Sequence, residues 1–173
     1  MSNKESTMCL ECSAHLPVKT PTCLHLFEAV IVRLSNQPAL RCELRMAMDA
    51  YALQHVEQFC PHQRSVAIHL MGLCWGLEFQ GDVKVARAMQ RWLENHAELP
   101  QILPPFVSPF EEFLTISDVW HELQRLPAEP EEQDWLVFEH PVRRWAHSVW
   151  FVWKEQHENV RKWIAKSISQ DNK

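Results

Sequence analysis

Leu26, Val30 and Leu34 recur at four-residue spacing between Thr22 and Asn36, the apolar stripe of an amphipathic helix. Thr22, whose hydroxyl can accept a free backbone amide, marks where that helix begins. Pro38 suits the first turn of a second helix running to about Val56, so that the two form a helical hairpin. After Pro61 a third helix, from about Gln63 to Phe79, is apolar on most sides through Val66, Ile68, Leu70, Leu73, Trp75 and Leu77. That pattern belongs to a central, buried helix. Gly81 and Asp82 separate it from a fourth helix, Val83 to about Glu98, whose narrower stripe of Val85, Ala88, Met89, Trp92 and Leu93 suits a place on the surface.

Four prolines between Pro100 and Ile116, interleaved with Phe106, Phe110 and Phe113, predict an extended segment that packs by its aromatic rings. A short helix follows from Ser117 to about Leu126, then an acidic loop over 127–132. The longest helix is predicted from about His140, with Pro141 in its first turn, to Ile168, along a stripe of Trp145, Val149, Trp153, Val160 and Ile164. Ahead of all these, Met8 to Pro21 has two prolines and no period, and reads as an irregular loop. The elements predict an all-α fold, a compact helical bundle of about five to six helices. The expected organisation is a disordered lead over 1–7, a single helical domain over 8–168 that includes the N-terminal loop, and a frayed tail over 169–173.

Composition supports this class. Three glycines in 173 residues are too few for the turns of a many-stranded fold. The formal charge of −5, with no basic face, argues against nucleic-acid binding. No apolar run reaches the length of a membrane span, and the polar start has no core of a signal peptide, so a cytoplasmic location is expected. In that reducing compartment the six cysteines are metal ligands or small buried groups rather than disulfides. The eight tryptophans, at helical spacing, are read as core rather than as a stacking pocket.

Cys9-x-x-Cys12 and then Cys23 offer three thiols from a loop and the first turn of a helix. With one further ligand they would complete a tetrahedral zinc site. The helix start favours the thiolate form of Cys23. A redox Cys-x-x-Cys is the poorer fit, because such motifs sit at a strand-to-helix junction and no βαβ pattern surrounds this one. His15, His25, His55 and His62 each qualify as the fourth ligand, and spacing does not choose among them. The second helix also carries Asp49, Tyr51 and Gln54 beside His55, a group that a hydrogen-bonded core network would explain. His69 and His157 lie on apolar helix faces and read as bonded core residues. A glycine-rich phosphate loop, a Gly-x-Ser-x-Gly elbow and a His-Glu-x-x-His pair are absent.

Taken together, Cys9-x-x-Cys12, Cys23, Asp49-Ala50-Tyr51-x-x-Gln54-His55, Val66-Ala67-x-His69-Leu70 and Trp145-Ala146-x-Ser148-Val149-Trp150 with His157 resemble an uncharacterised bacterial family, a domain of unknown function. The resemblance covers Cys9 to about Trp163 and implies no activity. It does imply a ligand set: Cys9, Cys12, Cys23 and His55, a Cys3His site, with His69 and His157 in a neighbouring polar cluster. The chain departs from the family pattern in a shorter loop between Cys12 and Cys23, and in Val56 where the family tends to have proline.

The leading functional expectation is a zinc-binding helical protein that acts by binding a partner protein or a small molecule, with the metal serving structure. The first alternative is a metal-dependent, hydrolase-like enzyme with an open metal position and Asp49, Tyr51 or His157 as proton carrier. The second is a thiol redox or metal sensor in which Cys9 and Cys12 form the labile pair.

Overall fold

Thr22 adopts an extended conformation and its Oγ1 accepts the backbone amide of His25, and the first helix, α1 (Cys23–Ser35), starts on the next residue. The structure, a computed structural model, describes residues 7–17, 22–95, 102, 113–126 and 132–171. Most of the lead over 1–7, most of the proline-rich stretch over 100–116 and most of the acidic loop over 127–132 lie outside these residues. The last two residues of the tail do so as well.

Among the described residues the fold is all-α, with a small hairpin at its start. The 8–21 stretch, read from sequence as irregular, contains two antiparallel strands, β1 (Thr7–Met8) and β2 (His15–Leu16). Pro38 opens a turn of 3-10 helix that leads into α2 (Arg41–Gln54). A break at His55 separates α2 from a single turn, α3 (Val56–Phe59). Then come α4 (Gln63–Glu78), α5 (Val83–Asn95) and α6 (Ile116–Leu123). Thr115 and Asp118 cap α6 reciprocally, each side chain meeting the other's backbone amide. The chain closes with α7 (Glu132–Val152) and α8 (His157–Asp171).

The eight helices among the described residues exceed the expected five to six, because the chain breaks at His55 and again after Val152. At His55, the Tyr51 carbonyl accepts both the backbone amide and the ring Nδ1–H of His55, so the side chain competes for the helix ladder. Near the C-terminus, the predicted single helix from 140 to 168 is two helices joined by a 3-10 turn. In a continuous helix the Trp150 carbonyl would accept the amide of residue 154. Here it accepts the Trp153 amide at 3.0 Å and the His157 Nε2–H at 2.8 Å, and the His157 ring stacks on Trp150 with centroids 3.8 Å apart. The start is also corrected: α7 begins at Glu132, which puts Pro141 inside it rather than in its first turn. A proline there forfeits one amide and its hydrogen bond, and Pro141 is buried in the packed stretch that carries Val142 and Trp145. At the other end α8 continues through 169–171, with Asp171 paired to Arg91.

Helices α2, α4 and α7 pack against one another at the centre, α1 and α6 cover one flank, and α5 pairs with α8 on the other. Tyr51, Met46, Leu53, Leu70, Met71, Leu73 and Trp145 are fully buried between them. The close approach of α2 and α4 needs Gly72, because a Cβ there would lie 1.9 Å from Asp49 Oδ2.

Candidate metal centre

The hairpin turn is tight because Cys9 donates its amide to the Ala14 carbonyl at 3.0 Å and accepts the Ser13 amide at 2.9 Å, with Ser13 at φ 58°. This turn points the amides of Glu11 and Cys12 at the Cys9 sulphur and the Ala14 amide at the Cys12 sulphur. Amide donors of this kind stabilise negative charge on sulphur. Cys12 and Cys23 are buried, Cys23 as the first residue of α1, and Cys9 is partly covered.

His55 arrives from the broken end of α2. Its Nδ1 lies 2.9 Å from the Tyr51 carbonyl, which can only accept, so Nδ1 carries a proton and Nε2 is left to face the cysteines. Nε2 is 3.6 Å from Cys9 Sγ, and Cys12 Sγ is 3.6 Å from Cys23 Sγ. All four ligand atoms lie within 4.8 Å of one another, within reach of one metal ion. Tyr51 supports the imidazole from behind, sandwiched between Phe27 and His55 with ring centroids 4.0 Å from each.

The electrostatics of the four groups favour a cation among them. The hydrogen bond from Cys23 holds the Cys12 thiol far below its ordinary range, against burial and with help from His55. The same bond, burial and the charges of Cys12 and Cys9 push Cys23 up. Burial alone would depress His55, yet the Cys12 bond and charge outweigh it and the imidazole is held up. Only one thiolate is comfortable without a positive partner, and a divalent ion would relieve the mutual repulsion of all three.

Of the four histidines open as fourth ligand, the structure brings only His55 to the cysteines. His25 is exposed and bonded to Thr22 Oγ1, His62 is exposed, and the His15 ring is exposed on β2. His69 and His157, expected in a neighbouring cluster, lie elsewhere. The His69 Nδ1–H donates to Asp49 at 2.8 Å, and that fully buried carboxylate also accepts Arg45 Nε at 3.0 Å. His157 stays with Trp150. The remaining cysteines are free thiols: Cys60 and Cys74 are buried and Cys42 half-buried.

Residues from separate sequence motifs meet in contact pairs. Gln54, next to His55, accepts the Trp145 indole N–H at 2.8 Å and donates to the Leu114 carbonyl at 3.0 Å. Ser148 accepts the Leu114 amide at 3.0 Å. Sequence reading grouped Gln54 with a polar core and gave Ser148 no role. Their partner in the 113–115 segment is 60 positions from Gln54 and 34 from Ser148, a separation that local spacing cannot reveal.

No helix among the described residues is long and apolar enough to cross a membrane. Comparison with curated proteins and with solved structures finds no match. A family profile does match, over residues 7–154, a span that takes in the hairpin, all four clustered ligands and the central helices. The chain belongs to that family, a family of unknown function, DUF5946.

Proposed function

We propose that Cys9, Cys12, Cys23 and His55 hold one zinc ion, and that the ion is structural. It clamps the hairpin to α1 and α2 in a cytoplasmic protein that acts by binding a partner protein or a small ligand. The observation that carries this reading is the spacing of the ligand atoms. Around a tetrahedral ion with zinc-length bonds, sulphur–sulphur edges are about 3.8 Å and sulphur–nitrogen edges about 3.6 Å. The Cys12–Cys23 and Cys9–His55 edges are both 3.6 Å, and every other edge of the cluster lies within 4.8 Å.

Four protein ligands leave no coordination position for water, and a closed zinc site does not activate a nucleophile. The proton carriers that an enzyme reading would use are already engaged: Asp49 with Arg45 and His69, His157 with Trp150, and the Tyr51 hydroxyl with Cys23. The Nδ1–H bond of His55 to a carbonyl is the outer contact that fixes the tautomer of a metal-bound histidine. Six free thiols suit a reducing compartment.

The test is elemental analysis of protein purified without a metal-chelating tag, beside Cys9→Ser, Cys23→Ser and His55→Ala. Stoichiometric zinc in the wild type and its loss in each variant are expected; a metal-free, folded wild type overturns the proposal. Cobalt substitution separates structural from catalytic use. The ligand-field spectrum of a closed site ignores added azide, and an azide-dependent change would indicate an open position.

A further inference from the structure

A cleft of about 610 Å3 lies beside the hairpin, between its outer face, α6 with the residues that lead into it, and Ser148 near the C-terminal end of α7. Its volume is in the range of small-molecule sites. The frame is fixed by long-range bonds. Ser117 Oγ donates to the His15 carbonyl at 2.5 Å, joining α6 to the hairpin, and Leu114 is held by Gln54 on one side and Ser148 on the other.

The lining combines an apolar part with a surplus of donors. Met8 and Phe113 offer an apolar wall, and Met8 is 52% exposed although it sits beside the buried hairpin core. The imidazoles of His15 and His121 both line the cleft, and neither makes a hydrogen bond or ion pair among the described residues. The Ser13 hydroxyl is likewise unengaged, and Ser148 still has its hydroxyl proton to give after accepting the Leu114 amide. Among the described lining residues the one carboxylate is Asp118, whose Oδ2 accepts the Thr115 amide and hydroxyl at 2.7 and 2.9 Å. Among the described lining residues there is no lysine or arginine.

We propose that this cleft binds a small monocarboxylate with an apolar or aromatic body. The carboxylate lies between His15 and His121, and the body rests on Met8 and Phe113. Two imidazoles and two hydroxyls match the acceptors of a singly charged carboxylate. A phosphate dianion would call for guanidinium or ammonium partners, and none is present among the described lining residues. The ring faces of Phe113 and the thioether of Met8 suit an aromatic or branched body. This proposal rests on the zinc reading in one respect: Met8, Ser13 and His15 form a wall only while the hairpin is clamped.

The full chain, its zinc content measured on the same sample, is titrated with phenylacetate and followed by NMR of the histidine ring protons, assigned with His15→Gln and His121→Gln. Acetate, 2-phenylethanol and phenylphosphonate serve as probes lacking the body, the charge, or the single charge. A saturable shift of the His15 and His121 signals is expected with phenylacetate, with each other probe at least about tenfold weaker. Each variant should weaken phenylacetate binding about fivefold or more while zinc content and helicity stay unchanged. A zinc-loaded chain whose two histidine signals do not move overturns the cleft proposal and leaves the zinc reading standing. Saturable binding by a metal-free chain keeps the cleft and overturns the zinc reading. Equal binding of phenylacetate and phenylethanol overturns the assignment of a carboxylate.

Discussion

The N-terminal hairpin and the α2–α4–α7 centre are held by different physics. Between residues 8 and 17 only Cys12, Ala14 and Leu16 are buried, each strand has two residues, and Leu10 at the turn is 97% exposed. A hairpin of that size is at best marginal in water. At the centre, Ala47, Ala50, Leu53, Leu70, Met71 and Leu73 are fully buried, and burial of this kind contributes roughly 1.5–3 kcal/mol for each large side chain. On the proposed reading, four ligand atoms around an ion would substitute for a core where the chain is too short to build one, whereas the helices need no such help.

Removing the metal should give the largest effect and should fall on one region. With zinc a thousandfold above its dissociation constant, chelation costs about 4 kcal/mol. Hydrogen exchange should rise across residues 7–17, with α2 and α4 protected as before; uniform loss of protection would erase the distinction between the regions. The reciprocal experiment is Leu70→Ala, which should lower stability by about 3 kcal/mol in denaturant titration yet retain stoichiometric zinc. Zinc release from that variant would mean that the centre holds the hairpin ligands in place.

A smaller loss, about 2 kcal/mol, is expected for Gly72→Ala, whose methyl group would displace Asp49 from Arg45 and His69. Its signature is a changed His69 ring resonance with unchanged metal content. Thr115→Ala removes half of a reciprocal cap and should cost about 1 kcal/mol in thermal unfolding.

The smallest effect concerns the surface pair of Arg161 and Glu78, whose two contacts are 2.8 and 2.7 Å. The Arg161 hydrogen bond holds the Glu78 carboxyl below its ordinary value of 4.5. A folded-state value below the unfolded one contributes stability above the unfolded value, lost as pH falls through the folded value. Arg161→Gln should therefore cost about 0.5 kcal/mol at neutral pH, and the difference from wild type should vanish in acid.

Much of the architecture was legible from particular residues. Thr22 placed the start of α1, the Val66–Leu77 pattern identified α4 as central, and the narrow stripe on α5 put it at the surface. The two helix breaks were not legible. Each arises from a histidine whose ring takes a carbonyl at the end of a helix, His55 on Tyr51 and His157 on Trp150, and periodicity cannot register a side chain that competes with the backbone. Pro141 misled for the opposite reason. A proline signals a helix start by local preference, and α7 accepts it within a longer packed helix.

At the candidate site, the cysteine spacing alone singled out Cys9, Cys12 and Cys23, since three thiols over so short a stretch restrict the chemistry to a few readings. The choice of His55 over His15, His25 and His62 rested on resemblance, because all four are the same chemical group and local spacing does not rank them. The structure distinguishes them by where the chain goes: α2 ends at His55 with its Nε2 directed to the hairpin, whereas the other three rings are exposed. Local pattern is a matter of neighbours within a helical turn and was available from the sequence by itself. The ring of ligands and the bonds from Leu114 to Gln54 and Ser148 join positions tens of residues apart. Such meetings are decided only when the apolar faces of α1, α2 and α7 have packed and carried their polar residues together.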